Sequence, residues 1–264
     1  MRKINKIRII ANDNEQSNEA KELLIKKLLF KKFIISDETP DLVIAIGGDG
    51  SCLRSIKAMK FDSNVLYVGV NTGTLGFLQE VKISDLDCFV DLLDNGGYSI
   101  DEIGIQETEI ETANENTHFY SLNEIVIREQ NLNTVILEIK IDGAKLEKYI
   151  GDGILISTSI GSTAYNLSFG GSIVYNTLHT LQITPVAPLN NKAYRNLLNS
   201  IIIPENTEIV ISPIKDNLLV SIDGDNKSFN DVKSIKTYVK NKRIKFLRLK
   251  NYNFYEKLNE KFLS

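Results

Sequence analysis

The sequence predicts an α/β N-terminal domain built on a parallel sheet, followed by a mostly antiparallel β domain, with a C-terminal helix packing back on the first domain. Two observations carry this reading. Early in the chain, short continuous apolar runs at 42–46 and 65–70 empty into glycine-bearing loops, as parallel strands covered on both faces do. Near Tyr98 the apolar period changes to two: Val135, Leu137, Ile139 and Ile141 alternate with polar neighbours and close on Asp142-Gly143, an antiparallel hairpin signal. The domain boundaries expected from this are 1–99 for the α/β domain, 100–240 for a β-rich domain, and 241–264 for a strand and helix returning to the first domain.

The elements follow in order. Residues 7–11 read as a first strand, and Asn12-Asp13-Asn14 as a loop able to cap a helix over 15–32, whose apolar stripe is Leu23, Leu24, Leu28 and Leu29. A strand over 42–46, a helix over 51–59 and a strand over 65–70 come next. Ser84 is expected to cap a helix that stops at Asp94-Asn95-Gly96-Gly97, where glycine suits the left-handed C-cap. Beyond Tyr98, strands are expected at 100–110, 119–128, 134–143, 154–158, 201–203, 208–212 and 218–222. The run 240–250 sets Lys240, Lys242, Arg243, Lys245, Arg248 and Lys250 around an apolar core and reads as a strand with a solvated basic edge. An amphipathic helix over 253–262 closes the chain.

Composition narrows the function class. With 264 residues, 42% hydrophobic and 25% charged, the chain folds and can bury one large core or two modest ones. A net charge of −3 argues against nucleic acid as the main partner, because phosphate-backbone binding draws on a basic surface. Cys52 and Cys88 are the two cysteines, with no CxxC pair, which suits a reducing cytoplasm. The apolar run 7–11 is too short for an export signal or a membrane span, so no membrane partner is expected. His118 and His179 lie far from the glycine loops and make a poor metal site.

Three stretches carry chemistry. In Gly47-Gly48-Asp49-Gly50 the missing side chains let backbone approach a phosphate, which makes Gly47, Gly48 and Gly50 a candidate phosphate loop. Asp49 cannot serve that purpose, since an anion repels phosphate unless it holds a metal or accepts a proton from the attacking group. A plain helix-capping role for Asp49 stays open at this point. A second loop, Asn71 to Leu78, sits at the carboxyl end of a strand, the edge where open α/β sheets bind ligands. The third stretch, Gly151 to Gly171, brings amides and hydroxyls together, and a carboxylate such as Asp152 suits two neighbouring ribose hydroxyls. Asn123-Glu124 places a polar pair inside an apolar strand, where each unpartnered group would cost about 1–3 kcal/mol, so the pair needs a ligand or a structural partner.

Taken in order, Gly47-Gly48-Asp49-Gly50, the set Asn71, Gly73, Leu75, Gly76 and Phe77, the pair Asn123-Glu124, and Gly151-Asp152-Gly153 through Gly161-Ser162-Thr163-Ala164-Tyr165 to Gly170-Gly171 resemble the bacterial type of the NAD kinase family. Residues 184–188 and 221–224 are looser matches. The resemblance implies transfer of the γ-phosphate of ATP to the 2′-hydroxyl of the adenosine ribose of NAD, giving NADP. Asp49 would be the base, beside Gly50 and the other loop glycines. Asn123, Glu124 and Asp152 would hold ribose hydroxyls or the nicotinamide end. Thr163, Ala164, Tyr165 and Ser168 would line the dinucleotide pocket, Phe77 would lie near a base, and Ala187 would line the site from the facing segment. Mg²⁺ or another divalent cation on ATP is implied, because the charge on the transferred phosphoryl must be neutralised and no P-loop lysine is present; no metal ligands are expected on the protein itself.

Loops this spread out suggest a site completed by a neighbouring subunit, hence a homo-oligomer, dimer or tetramer. Ser51 stands where the family usually has threonine, Ser159-Ile160 where Pro-Thr is frequent, and the stretch 189–195 lacks the histidine-serine pattern common there. Asp223-Gly224 falls in a variable region and is carried over only weakly. Two alternatives remain: a lipid-type kinase sharing the Gly-Gly-Asp-Gly loop, disfavoured by Asn123-Glu124 and the 151–171 stretch, and a non-catalytic dinucleotide sensor, which would not need Asp49.

Overall fold

In the computed structural model, which describes residues 4–73, 76–131, 133–215, 217–250 and 252–263, the chain divides into two units. The first comprises Met1–Ile103 and Arg243–Ser264, the second Gly104–Lys242.

The first unit begins with β1 (Lys6–Ala11), α1 (Glu15–Phe30), β2 (Ile34–Ile35), β3 (Leu42–Gly47), α2 (Asp49–Ala58), β4 (Leu66–Asn71), β5 (Gln79–Lys82), α3 (Leu86–Asn95) and β6 (Tyr98–Gly104). The continuous apolar runs become its inner strands: every residue of β3 and β4 is buried, as a strand covered on both faces requires. Asn14 caps α1 by accepting the Ser17 amide at 2.9 Å. At α3 the cap is Asp85 rather than Ser84, whose hydroxyl bonds the Asp85 carboxylate at 2.8 Å. Gly96 ends α3 at φ +69°, the left-handed C-cap that glycine adopts without strain.

The second unit holds β7 (Gln106–Thr112), β8 (Asn116–Ser121), β9 (Glu124–Glu129), β10 (Val135–Ile141), β11 (Ala144–Gly151), β12 (Gly153–Thr158), α4 (Tyr165–Ser168), β13 (Thr180–Val186), β14 (Ile201–Pro204), β15 (Ile209–Pro213), β16 (Leu218–Ile222), β17 (Asp225–Phe229) and β18 (Val232–Tyr238). Its antiparallel strands form two six-stranded sheets, ordered β11-β10-β15-β18-β7-β8 and β14-β13-β12-β9-β16-β17. One apolar core joins them, with Leu137, Ile139 and Ile211 from one sheet and Ile125, Ile127 and Ile156 from the other. The alternation read from sequence therefore points the odd residues of β10 inward. The β10–β11 hairpin turns on Asp142 and Gly143 at φ +47° and +79°, the pair of left-handed residues that a two-residue turn demands.

The chain returns to the first unit with β19 (Arg243–Leu249) and α5 (Phe254–Phe262). The first sheet is ordered β2-β1-β3-β4-β19-β6, with β5 also on β4, and the pairings of β1, β3 and β4 within it, including β4 with β19, are parallel. Two expectations change here. The basic run is not a solvated edge: β19 sits between β4 and β6, and Arg248 is 1% exposed, its charge met by Glu80 and Asp101. Each of the expected strands 100–110 and 119–128 breaks in two, because β6 and β7 join different sheets and residues 122–123 make a bend between β8 and β9.

Candidate active site

The glycine loop joins β3 to α2 at the carboxyl edge of the parallel sheet. Only Gly47 takes a positive φ, +142°, and a Cβ there would lie 2.3 Å from Ser51 Oγ. Gly48 is the extended N-cap of α2, and a Cβ on it would meet nothing within 4 Å. Gly50 already lies inside the helix. The loop's glycines thus differ in purpose: Gly47 shapes the turn, while Gly48 leaves open space for an approaching group.

Asp49 opens α2, and its carboxylate makes no cap of that helix. Instead Oδ2 accepts the Phe77 amide and Oδ1 the Leu78 amide, both at 2.9 Å. A Cβ on Gly76 would lie 2.1 Å from Asp49 Oδ1, so the second loop approaches the acid as closely as glycine permits. Asn71 shapes that loop through its own turn, bonding Gly73 O at 2.7 Å and Gly73 N at 3.2 Å, whereas Leu75 lies outside the described residues. Phe77 is buried, its ring 6.0 Å from Phe254 and 5.6 Å from Phe262.

Two residues that the sequence did not single out complete this corner. The buried Gln79 side chain donates to Gly48 O at 2.7 Å and fills the space that a Cβ on Gly69 would need. Arg54, one turn into α2, reaches back to Asn12 and to Ser51 Oγ at 3.2 Å, placing a cation beside the glycine loop. Cys52 is fully buried in α2, and burial, with Asp49 nearby, pushes its thiol up to about 12.

In the second unit, Asn123 and Glu124 turn the chain from β8 into β9. Asp223 holds the backbone of this bend: Oδ2 accepts the Leu122 amide at 2.8 Å, and Oδ1 the Asn123 and Glu124 amides at 2.7 and 3.3 Å. Asp223 and Gly224, at φ +47° and +83°, form the turn of the β16–β17 hairpin. The Asn123 carbonyl accepts the Thr158 amide at 2.9 Å and lies 2.1 Å from where a Cβ on Gly161 would be.

A cavity of about 310 Å³ opens beside this bend, lined by Glu124, Val126, Arg128, Tyr165, Leu219, Ser221, Gly224 and Asn226. Alternation along β9 explains the lining: 125 and 127 enter the core, while 124, 126 and 128 line the cavity. Arg128 donates to the Tyr165 hydroxyl at 3.1 Å and sits 5.9 and 5.7 Å from the Tyr165 and Phe169 ring centres. Of the expected substrate residues, Glu124 and Tyr165 line this cavity.

The others lie around it in sequence. Asp152 is exposed at the β11–β12 corner, where its amide bonds Val186 O at 3.0 Å, and a Cβ on Gly151 would fall 2.8 Å from Ala187 O. Ala187 itself takes φ +45°, a left-handed conformation uncommon for a residue with a side chain. Thr163 and Ala164 form the 3₁₀ turn and bend before α4, and Ser168 is exposed at its end.

The two oxygens of Asp49 and of Asp223 are engaged by amides, and no group of three or more His, Cys, Asp or Glu side chains placed to hold a metal occurs among the described residues. No helix of the described residues is long and apolar enough to cross a membrane.

Residues 7–98 match the ATP-NAD kinase N-terminal domain, and residues 122–247 match the ATP-NAD kinase C-terminal domain. The chain belongs to the NAD kinase family. The NAD kinase of Finegoldia magna is 38% identical over 97% of this chain and 97% of its own length. That of Streptococcus gordonii is 35% identical over 98% of this chain and 95% of its own. Among solved structures, yeast NADH kinase complexed with NADH superposes with a TM-score of 0.87 at 21% identity, covering all of this chain and 89% of that one. An NAD kinase from Archaeoglobus fulgidus in complex with ATP gives 0.79 at 19%, over 97% and 99%. At those identities the structural likeness speaks for the fold, an α/β unit with a mostly parallel sheet and an antiparallel β unit.

Proposed function

We propose that this chain transfers the γ-phosphate of ATP to the 2′-hydroxyl of the adenosine ribose of NAD, giving NADP and ADP, with Asp49 as general base. The observation that carries this reading is the Asp49 carboxylate itself, fixed by the Phe77 and Leu78 amides beside the open face of Gly48. Each carboxylate oxygen has two acceptor sites and spends one on an amide, so both keep a site for a hydroxyl proton. As the 2′-oxygen bonds phosphorus, its proton passes to Asp49 and the bond to the ADP oxygen breaks. Gly48 gives the phosphates room, with Gly47 shaping the turn before it and Gly50 in the first turn of the helix after it.

On the second unit, Asn123, Glu124 and Asp152 are assigned to NAD hydroxyls or its nicotinamide end. Thr163, Ala164, Tyr165, Ser168 and Ala187 are assigned to its rings and backbone, and Phe77 to packing near a base from the first unit. A divalent cation such as Mg²⁺ arrives with ATP as part of the substrate, carried on its phosphate oxygens. Free cysteines suit a cytoplasmic enzyme. Homo-oligomerisation is part of this reading and is checked by light scattering after size exclusion. Nothing in the fold or in the family matches favours a lipid-type kinase or a non-catalytic sensor.

The test is NADP formation by the purified chain with ATP, Mg²⁺ and NAD, with diacylglycerol as the control acceptor. Asp49→Asn is expected to keep NAD binding and to lower kcat about 10²–10⁴-fold, the range for a positioned base. A normal rate in that variant removes Asp49 from the mechanism, and no NADP from the wild type removes the reading.

A further inference from the structure

Helix α5 meets the loop that holds Asp49 with a buried cation. Lys257 is 8% exposed, donates from Nζ to the Gln79 carbonyl, and lies 3.3 Å from Glu80 Oε2. The same carboxylate takes Arg248 Nη1 at 3.2 Å and, on its other oxygen, the Leu249 amide at 3.0 Å. Arg248 Nε in turn reaches Asp101 at 2.8 Å. Burying an ammonium is unfavourable unless its charge is met, and an apolar side chain would fill the same space. The amine at 257 therefore asks for a purpose beyond packing.

Its position supplies one. Gln79, whose carbonyl takes Lys257, sends its side-chain amide to Gly48 O at 2.7 Å. The two residues before it, Phe77 and Leu78, give the amides that hold Asp49. The Phe77 ring rests against Phe254 and Phe262 of α5 at 6.0 and 5.6 Å. The segment 77–79 is thus gripped by α5 and grips the acid. The charged groups facing Lys257 are Glu80 on β5 and Asp49 on α2, which favour its charge, and Arg248 on β19, which opposes it; burial is the largest influence and lowers its pKa. The Tyr252 ring, 4.8 Å away, completes the surroundings.

We propose that Lys257 is a positioning residue for phosphoryl transfer: clamped on the Gln79 carbonyl and Glu80, it fixes residues 77–79, and through their amides the Asp49 carboxylate. This rests on Asp49 being the base.

The test uses the full chain with ATP, Mg²⁺ and NAD, and the variants Lys257→Gln, Lys257→Arg and Phe262→Ala. Lys257→Gln is expected to lower kcat about 10–100-fold with the NAD Kd changed by less than about twofold, since a small misplacement near the reacting atoms costs rate rather than affinity. Hydrogen exchange at the Phe77 and Leu78 amides should rise about tenfold as their clamp loosens, and Lys257→Arg should restore rate and protection.

Wild-type kcat in Lys257→Gln overturns the proposal. So does a lower kcat with exchange at the two amides unmoved, which would mark a role in stability alone. Should Lys257→Gln not fold, Phe262→Ala decides: it trims a ring that is 42% exposed, and the proposal requires faster exchange at Phe77 and Leu78 and a lower kcat with NAD binding kept, whereas wild-type values in all three overturn it. Failure of the kinase reading looks different, as a wild-type protein that makes no NADP.

Discussion

Replacing Asp223 by asparagine tests how the second unit holds its polar bend. Asparagine tolerates the φ of +47° at this turn, so the hairpin survives and only the acceptors change. The carboxylate serves three amides, with Oδ1 taking Asn123 and Glu124 at 2.7 and 3.3 Å and Oδ2 taking Leu122 at 2.8 Å. An asparagine keeps one oxygen; in its better orientation it satisfies 123 and 124, and its NH₂ then faces the Leu122 N–H, donor against donor. One buried donor left unpaired costs about 1–3 kcal/mol, and each kcal/mol lowers Tm by roughly 2–4 °C in a chain of this size. Asp223→Asn should therefore melt about 2–12 °C lower in a ligand-free thermal scan. Because the displaced bend carries Asn123 and Glu124, the KM for NAD should rise in the same variant. A melt within about 1 °C of wild type together with an unchanged KM would refute the anchoring role, since a lost buried bond cannot be that small.

The cysteines and one glycine extend the set. Cys52, buried and with its thiol pushed up to about 12, should resist iodoacetamide at neutral pH while the exposed Cys88 reacts, so intact-mass analysis should show one label on the folded chain and two in denaturant. A second fast label on native protein would mean that α2 opens. Gly48→Ala should cost about 0.5–1 kcal/mol, the preference for glycine over alanine at an N-cap, and no more, since its Cβ meets nothing within 4 Å. The same variant should raise the KM for ATP if phosphate comes to that face, and an unaltered ATP dependence would move the phosphates elsewhere.

Features decided within a few residues were legible in the sequence. The apolar runs announced the parallel strands, Gly96 announced its cap, and Asp142-Gly143 announced its hairpin. Features that depend on a distant partner were not. Asp223-Gly224 is carried over only weakly, because nothing local reveals that its carboxylate serves amides 99 to 101 positions earlier. Arg248 reads as solvated because its neutralisation by Glu80 and Asp101 is made by β5 and β6, not by its own strand. Lys257 reads as one of several lysines on an amphipathic helix for the same reason. The Asn123-Glu124 pair seemed to interrupt a strand, because an apolar Leu122 hid the bend before it.

Asp49 and Asp223 share one construction, an acid in one loop satisfying consecutive amides of another. That construction changes how their variants must be read. Asp49→Asn removes a base and also sets an NH₂ against either the Phe77 or the Leu78 amide, at a cost of about 1–3 kcal/mol. Those amides lie between Asp49 and α5, so a loosened loop would itself lower kcat. The two effects separate by temperature and pH. A loop that has merely loosened recovers part of its rate on cooling away from the melt, and its surviving activity keeps the wild-type acid limb. A missing base recovers nothing on cooling, and the acid limb disappears with the carboxyl group. The assignment of Asp49 as base therefore requires a loss of kcat well beyond the loss of folded fraction, together with a pH profile from which that limb is absent.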